Sequence, residues 1–224
     1  MILKRASSKA IVYSCKNYHY SKKPPALNGF SFSVFNDNNE FCGCIVYGYG
    51  GNYRIGNKYG LKQGQVLELV RMALNGKQSS TSKALSLSLK LLKKKAPSVK
   101  LIISYADKGQ NHVGIIYQAT NWIYETQNES STTEYLINNT WTHSRSANMI
   151  IKRKNLNRSS IKKRKASGKI KYLYPLTKDM RSNLLKLSKK YPKKICDGGV
   201  NRSTTSFHDV GEGAVPISSL NNYA

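Results

Sequence analysis

Apolar and polar residues alternate from Phe30 to Phe35, in the order Phe-Ser-Phe-Ser-Val-Phe, and a second β-rich run extends from Phe41 to Tyr47. Alternation with a period of two puts successive side chains on opposite faces of a strand, and Asn36-Asp37-Asn38-Asn39 between the runs favours a turn. The two runs therefore predict a hairpin. Gly48 to Gly64 is rich in glycine and reads as a loop. Gln65 to Leu74 reads as a buried strand and Asn75 to Ser82 as a polar turn. A helix follows from about Lys83 to Lys95, with Leu85, Leu89 and Leu92 on one face and Pro97 as its stop.

The alternation of elements continues beyond that helix. Lys100 to Ala106 reads as a strand with Asp107 at its C-terminal end. Val113 to Ala119 reads as a helix, and Trp122 to Glu125, Tyr135 to Ile137 and Thr140 to His143 as strands. A hairpin followed by strand, helix, strand, helix and strand predicts a mixed α/β (α+β) fold, one mixed sheet with helices on its faces. Later in the chain, Lys169 to Tyr174 alternates like a strand, and Lys178 to Tyr191 carries Leu184, Leu185 and Leu187 at near-helical spacing.

Charge changes the picture of this last third. The chain has 37 Lys and Arg against 11 Asp and Glu, a net +26 in 224 residues. Lys152 to Lys194 holds 17 basic residues against the single acid Asp179. Such an excess calls for a polyanionic partner, which nucleic acid fits best. The expected organisation is a catalytic domain at 1–150, a basic extension at 151–195 and a loosely ordered tail at 196–224. Lys152, Arg153, Lys154, Lys162, Lys163, Arg164 and Lys165 are the candidate DNA-binding residues. No apolar segment approaches the roughly 18 residues of a spanning helix, and no signal-peptide pattern opens the chain. Cys15, Cys42, Cys44 and Cys196 have no metal-site spacing and read as reduced thiols. Together these features predict an intracellular protein of the cytoplasm without a membrane partner; oligomeric state is not readable.

Two resemblances sharpen the chemistry. Ile116 to Glu125 resembles the end of the Gcn5-related acetyltransferase superfamily, in which a helix bearing a Tyr leads through a Gly-aromatic pair into a strand. Here Asn121-Trp122 stands in place of that pair, and the glycine-rich pyrophosphate signature after Leu74 is absent. Six blocks read together are similar to the phage Mom family of DNA adenine modification proteins. They are Tyr18 to Ser21, Glu68 to Arg71, Ser80 to Ser82, Ser104 to Asp107, Gly109 to Gly114 and Ile116 to Ala119. This resemblance implies an acetyltransferase-like fold, and a transferase that places a carbamoylmethyl group on adenine N6 and protects DNA from restriction.

Adenine N6 is a poor nucleophile, because its lone pair is delocalised, so a catalyst must orient it and take up its proton. Asp107 is suited to accept that proton and equally suited to cap the helix that follows. The superfamily resemblance implies that Tyr117 protonates a departing thiolate; composition alone favours a half-buried core tyrosine. His19 and Tyr20 complete the candidate catalytic set and, with Asp107, form an oxygen and nitrogen donor set open to iron. Arg71, Ser80 and Ser82 are the candidates for holding a donor's phosphates, Ser82 being also a plain N-cap. His112 either joins the site or caps the helix. The donor is acetyl-CoA or a glycine-derived or aminoacyl compound. Action on double-stranded DNA would require base flipping, with Trp122, Tyr20 or Tyr105 as stacking faces. Two other readings stay open: an acyltransferase on protein or small-molecule amines, and a DNA-binding protein without enzymatic activity.

Overall fold

The structure, a computed structural model, describes residues 1–193 apart from 51, 53 and 129–131. Strands β1 (Ile2–Arg5), β2 (Phe30–Phe35), β3 (Phe41–Gly48), β4 (Val66–Leu74), β5 (Leu101–Asp107), β6 (Ile123–Asn128) and β10 (Lys169–Pro175) form one sheet. Its order is β1-β2-β3-β4-β5-β10-β6. All neighbours are antiparallel except β4 and β5, which run parallel. The fold is mixed α and β, as the alternation predicts.

Period two explains both faces of this sheet. Ile45, Tyr47, Leu67 and Ile102 point to one side and pack against helix α2 (Thr81–Lys95) through Leu85, Leu89 and Leu92. Their neighbours Cys44 and Val46 point to the other side and meet helix α1 (Ser8–Tyr18) through Ala10, Ile11 and Cys15. On that same side, Leu101, Ile103 and Leu173 meet Met180 and Leu184 of helix α5 (Lys178–Leu185). Each of these three helices starts on a hydroxyl cap. Ser7, Ser80 and Thr177 accept the backbone N–H of Ala10, Lys83 and Met180, which satisfies donors that the first helical turn leaves free. Cys15, Cys42 and Cys44 are free and buried, while Cys196 and the tail expected at 196–224 lie outside the described residues.

The largest departure from expectation concerns the basic region. It is not appended to a finished domain: β10 lies in the large sheet between β5 and β6, so its Ile170, Tyr172 and Leu173 are core residues. Between β6 and β10 the chain builds a second sheet in the order β8-β7-β9, from β7 (Thr133–Ile137), β8 (Thr140–His143) and β9 (Lys163–Lys165). Helix α4 (Ser144–Lys154) packs on it with Ala147 buried against Tyr135 and Ile137. The cationic run is thus split into an inserted module and a core strand. Alternation in Lys169 to Tyr174 marks β10 as a strand, but its neighbours are chosen by contacts far away in sequence. The expected helix at Lys178 to Tyr191 ends at Leu185, and that at Val113 to Ala119 is the single turn α3 (Ile115–Gln118).

Candidate active site

Strands β4 and β5 pair at only three positions, Val66 with Leu101, Leu67 with Ile102 and Glu68 with Ile103. Beyond Glu68 and Ile103 both strands continue without pairing to each other, and the sheet opens at their C-terminal ends, where sites gather in α/β sheets. A cleft of about 610 Å³ occupies this opening. Its walls come from Glu68 to Met72 of β4, Tyr105 to Asp107 of β5, the Asn111 to Tyr117 segment, and Tyr18 to Tyr20 at the end of α1. His19, Tyr20, Arg71, Asp107 and Tyr117, chosen from four separate blocks of sequence, therefore line one cavity, and His112 joins them.

Asp107 caps the turn that follows it and lines the cleft. Its Oδ1 accepts the Gly109 backbone N–H at 2.9 Å, capping a 3-10 turn, and the Ser167 hydroxyl at 2.6 Å. The carboxylate also accepts the Tyr20 hydroxyl; burial and this negative neighbour hold the Tyr20 phenol above its ordinary value. Tyr20 stacks on His19 with ring centroids 4.3 Å apart and meets His112 edge-on at 6.2 Å. His19 accepts the Ser21 backbone N–H on Nδ1 at 3.1 Å, which leaves the ring proton on Nε2. Burial, the Arg71 cation and His112 lower its pKa to about 4. At neutral pH His19 is therefore an uncharged N–H donor.

Tyr117 is held between rings, 5.0 Å from Trp122 and 4.9 Å from Tyr172. Its hydroxyl lies 2.8 Å from Ser104 Oγ, and burial pushes its pKa up to about 12. Trp122 is fully buried and cannot stack on an incoming base, whereas Tyr105 lines the cleft and Tyr20 is 53% exposed at its edge. Asn121 takes a positive φ of 59°, a conformation open to Gly and Asn, which explains how Asn121-Trp122 replaces a Gly-aromatic pair.

Glu68 was not foreseen as a site residue. It sits where β4 and β5 part, and burial raises its pKa while Lys169, Arg71 and Lys171 pull it down. A lone acid in the apolar run Val66 to Leu74 was the available signal, since burying a charge there is costly without partners.

The phosphate candidates separate. Arg71 lines the cleft from within β4, with its Nη1 donating to the Val70 carbonyl at 2.6 Å. Ser80 caps α2 and lies 3.0 Å from the hydroxyl of Ser82, but neither lines the cleft. Lys152, Arg153 and Lys154 occupy the last turn of α4, and Lys163, Arg164 and Lys165 form β9 next to Lys162; all seven are exposed and outside the cleft. The loop that follows them returns to the site: Ser167 reaches Asp107, and Gly168 accepts the Lys108 N–H at 3.1 Å.

The donor atoms of His19, Tyr20 and Asp107 expected to be open to iron are partly engaged within the protein. Nδ1 of His19 is taken by Ser21, Oδ1 of Asp107 by Gly109 and Ser167, and the Tyr20 hydroxyl by Asp107. Among the described residues no three His, Cys, Asp or Glu side chains are placed to hold one ion.

The sequence model of the Mom protein family matches residues 1–193. The chain belongs to the Mom protein family. Within it, the methylcarbamoylase Mom of Escherichia phage Mu is 30% identical over 136 residues, which cover 59% of this chain and 55% of the relative. The match thus spans about half the length of that Mom protein. Solved structures similar to this chain are acetyltransferases. One is a spermidine/spermine N-acetyltransferase from Vibrio cholerae, 9% identical, with a TM-score of 0.46 over 81% of this chain and 95% of that one. A Bacillus subtilis acetyltransferase in complex with CoA is 12% identical, with a TM-score of 0.38 over 67% of this chain and 78% of that one. No helix among the described residues is long and apolar enough to cross a membrane.

Proposed function

We propose that this chain is a phage-type transferase that places a carbamoylmethyl group on N6 of adenine in double-stranded DNA, in the host cytoplasm, and so shields that DNA from restriction. The observation that carries this reading is the convergence of His19, Tyr20, Arg71, Asp107 and Tyr117 on one cleft in a chain of the Mom family.

In this mechanism the N6 nitrogen forms a bond to the transferred carbon. The bond from that carbon to the donor's leaving group breaks with its electron pair on the leaving group, and one N6 proton passes to a carboxylate. Asp107 is the acceptor, with Glu68 deeper in the same cleft. Holding N6 against the donor is the larger part of the work, because orientation removes the entropy of bringing two reactants together. Tyr117, with its pKa raised to about 12, gives a hydrogen bond and keeps its proton. Full transfer to a thiolate of pKa about 8.5 would cost about 5 kcal/mol. His19 Nε2–H is a second donor toward developing negative charge, and Arg71 faces the donor's anionic part. The cations of α4 and β9 hold the phosphate backbone without reading sequence. The catalytic unit is then the large sheet with its helices, and the inserted module is the DNA grip.

Nucleoside mass analysis of plasmid DNA from cells expressing the wild-type chain or Asp107→Asn tests this directly. Asn preserves the cap on Gly109 and removes the base. A heavier adenosine is expected with the wild type, reduced at least about 100-fold in the variant, the scale of general base catalysis. Unmodified DNA from the folded, DNA-bound wild type overturns the proposal. Growth on nitrogen-labelled glycine tests the donor: label in the new group assigns a glycine-derived or aminoacyl donor and its absence rules that donor out, whereas direct transfer from acetyl-CoA would give N6-acetyladenine, told apart by its mass.

A further inference from the structure

Ile115 is 63% exposed, yet it belongs to the lining of the cleft, so its side chain stands on the rim. It is the first residue of α3, directly after Gly114 in the left-handed region at φ 76°. Gly114 lies against the Tyr172 ring, where a Cβ would come within 2.3 Å, and the Tyr172 hydroxyl donates to the Val113 carbonyl at 2.6 Å. The next residue, Ile116, packs on the core. The rim therefore presents an apolar tip on a braced turn, and among the other rim residues Tyr20 is 53% exposed. Inside the cleft Lys169 and Arg71 stand beside Glu68 and Asp107, and the cationic strand β9 leads back to Asp107 through Ser167.

We infer that Ile115 is a wedge that enters the base stack of duplex DNA and fills the gap left by the adenine turned out into the cleft. The inference rests on the proposed action on duplex DNA. An isolated exposed isoleucine needs no explanation on an ordinary surface. This one borders a cleft of about 610 Å³, in a chain of net charge +26 whose complement is a polyanion. Turning out a paired, stacked base costs a few kcal/mol; apolar side chains do enter between base steps in other DNA-binding proteins, and one that fills the vacated gap would restore part of the lost stacking. Fixed backbone on both sides makes the tip stiff enough to do so.

The test uses duplexes that carry 2-aminopurine in place of adenine at successive positions, a fluorophore quenched when stacked. The wild type is expected to raise the fluorescence at some positions. Ile115→Ala is expected to lose at least about five-sixths of that rise while its affinity, from anisotropy of labelled duplex, stays within about twofold, because phosphate contacts supply most of the binding. Ile115→Met, which restores an apolar tip, is expected to keep the rise. In cells, the modified adenine fraction of plasmid DNA should fall about tenfold with Ile115→Ala, equivalent to ~1.4 kcal/mol. Exposure of the side chain keeps all three proteins folded. A wild type that binds duplex without any rise, or an Ala variant that matches it, overturns the wedge. A wild-type rise without modified adenosine in plasmid would leave the wedge standing and remove the proposed chemistry instead.

Discussion

In the cleft, Arg71 and Lys169 stand close to Glu68 and Asp107, and the resulting fields raise or lower nearby groups. On the inserted module, Lys152 to Lys154 and Lys162 to Lys165 face solvent; Glu134, bonded to Arg164 at 2.9 Å, is an acid among them. One region uses few charges in a shaped, half-buried setting; the other uses many in water. Charges in the first setting interact strongly and tune proton positions, while those in the second are screened and add up to affinity. The two regions should therefore fail in different ways when altered.

The largest effect is expected at the junction that shapes the cleft. Gly114→Ala places a methyl against the Tyr172 ring on a backbone that disfavours it. A loss of about 3 kcal/mol or more of stability is expected, read by denaturant unfolding. A change below about 1 kcal/mol would show that the α3 turn is not braced. A middle effect is expected on the module. Replacing Lys163, Arg164 and Lys165 together by Ala should lower the salt dependence of DNA binding by two to three units of log–log slope, at about 0.9 per phosphate contact. Turnover on saturating DNA should hold. If turnover falls while the slope stays, the division between the regions is wrong.

The smallest effect concerns pH. The folded His19 pKa of about 4 lies below its ordinary value of 6.5, so the unfolded chain binds the extra proton first. Stability is therefore lost as pH falls from about 6.5 toward 4, and above that window His19 contributes no pH dependence. In His19→Gln the midpoint temperature should decline less over that window than in the wild type. Equal slopes for the two proteins would place His19 in open solvent.

Much of this was legible in the sequence where signals are local. The Phe30 to Tyr47 hairpin, the leucine face of α2 and the strand ending at Asp107 follow from period and punctuation alone. Helix α1 was not foreseen because its buried face is made of Ala10, Ser14 and Cys15 with only Ile11 as a large residue, so its period hardly shows in hydrophobicity. Helix α4 was hidden because it buries a single residue, Ala147, under a cationic surface. Block similarity picked out five residues that line one cleft, while Glu68, though inside one of the blocks, and Ile115 were not singled out. What distinguishes those two is their place at the strand split and on the rim, and placement is a property of the folded chain. At Ser80, which caps α2, and Ser82, in its first turn, both away from the cleft, a cap and a ligand site look alike in sequence.

The position of β10 governs how the protein can be made. During synthesis β5 and β6 emerge well before the strand that joins them, and until Lys169 to Pro175 appears each lacks a hydrogen-bonded neighbour on the side that β10 will occupy. A nascent chain stopped inside the basic module therefore exposes two open strand edges, a state prone to sticking to other chains. Truncation before β10 would remove none of the five converging cleft residues and still yield no enzyme, because the last of the described strands to leave the ribosome is the one that joins β6 to β5 and the rest of the sheet.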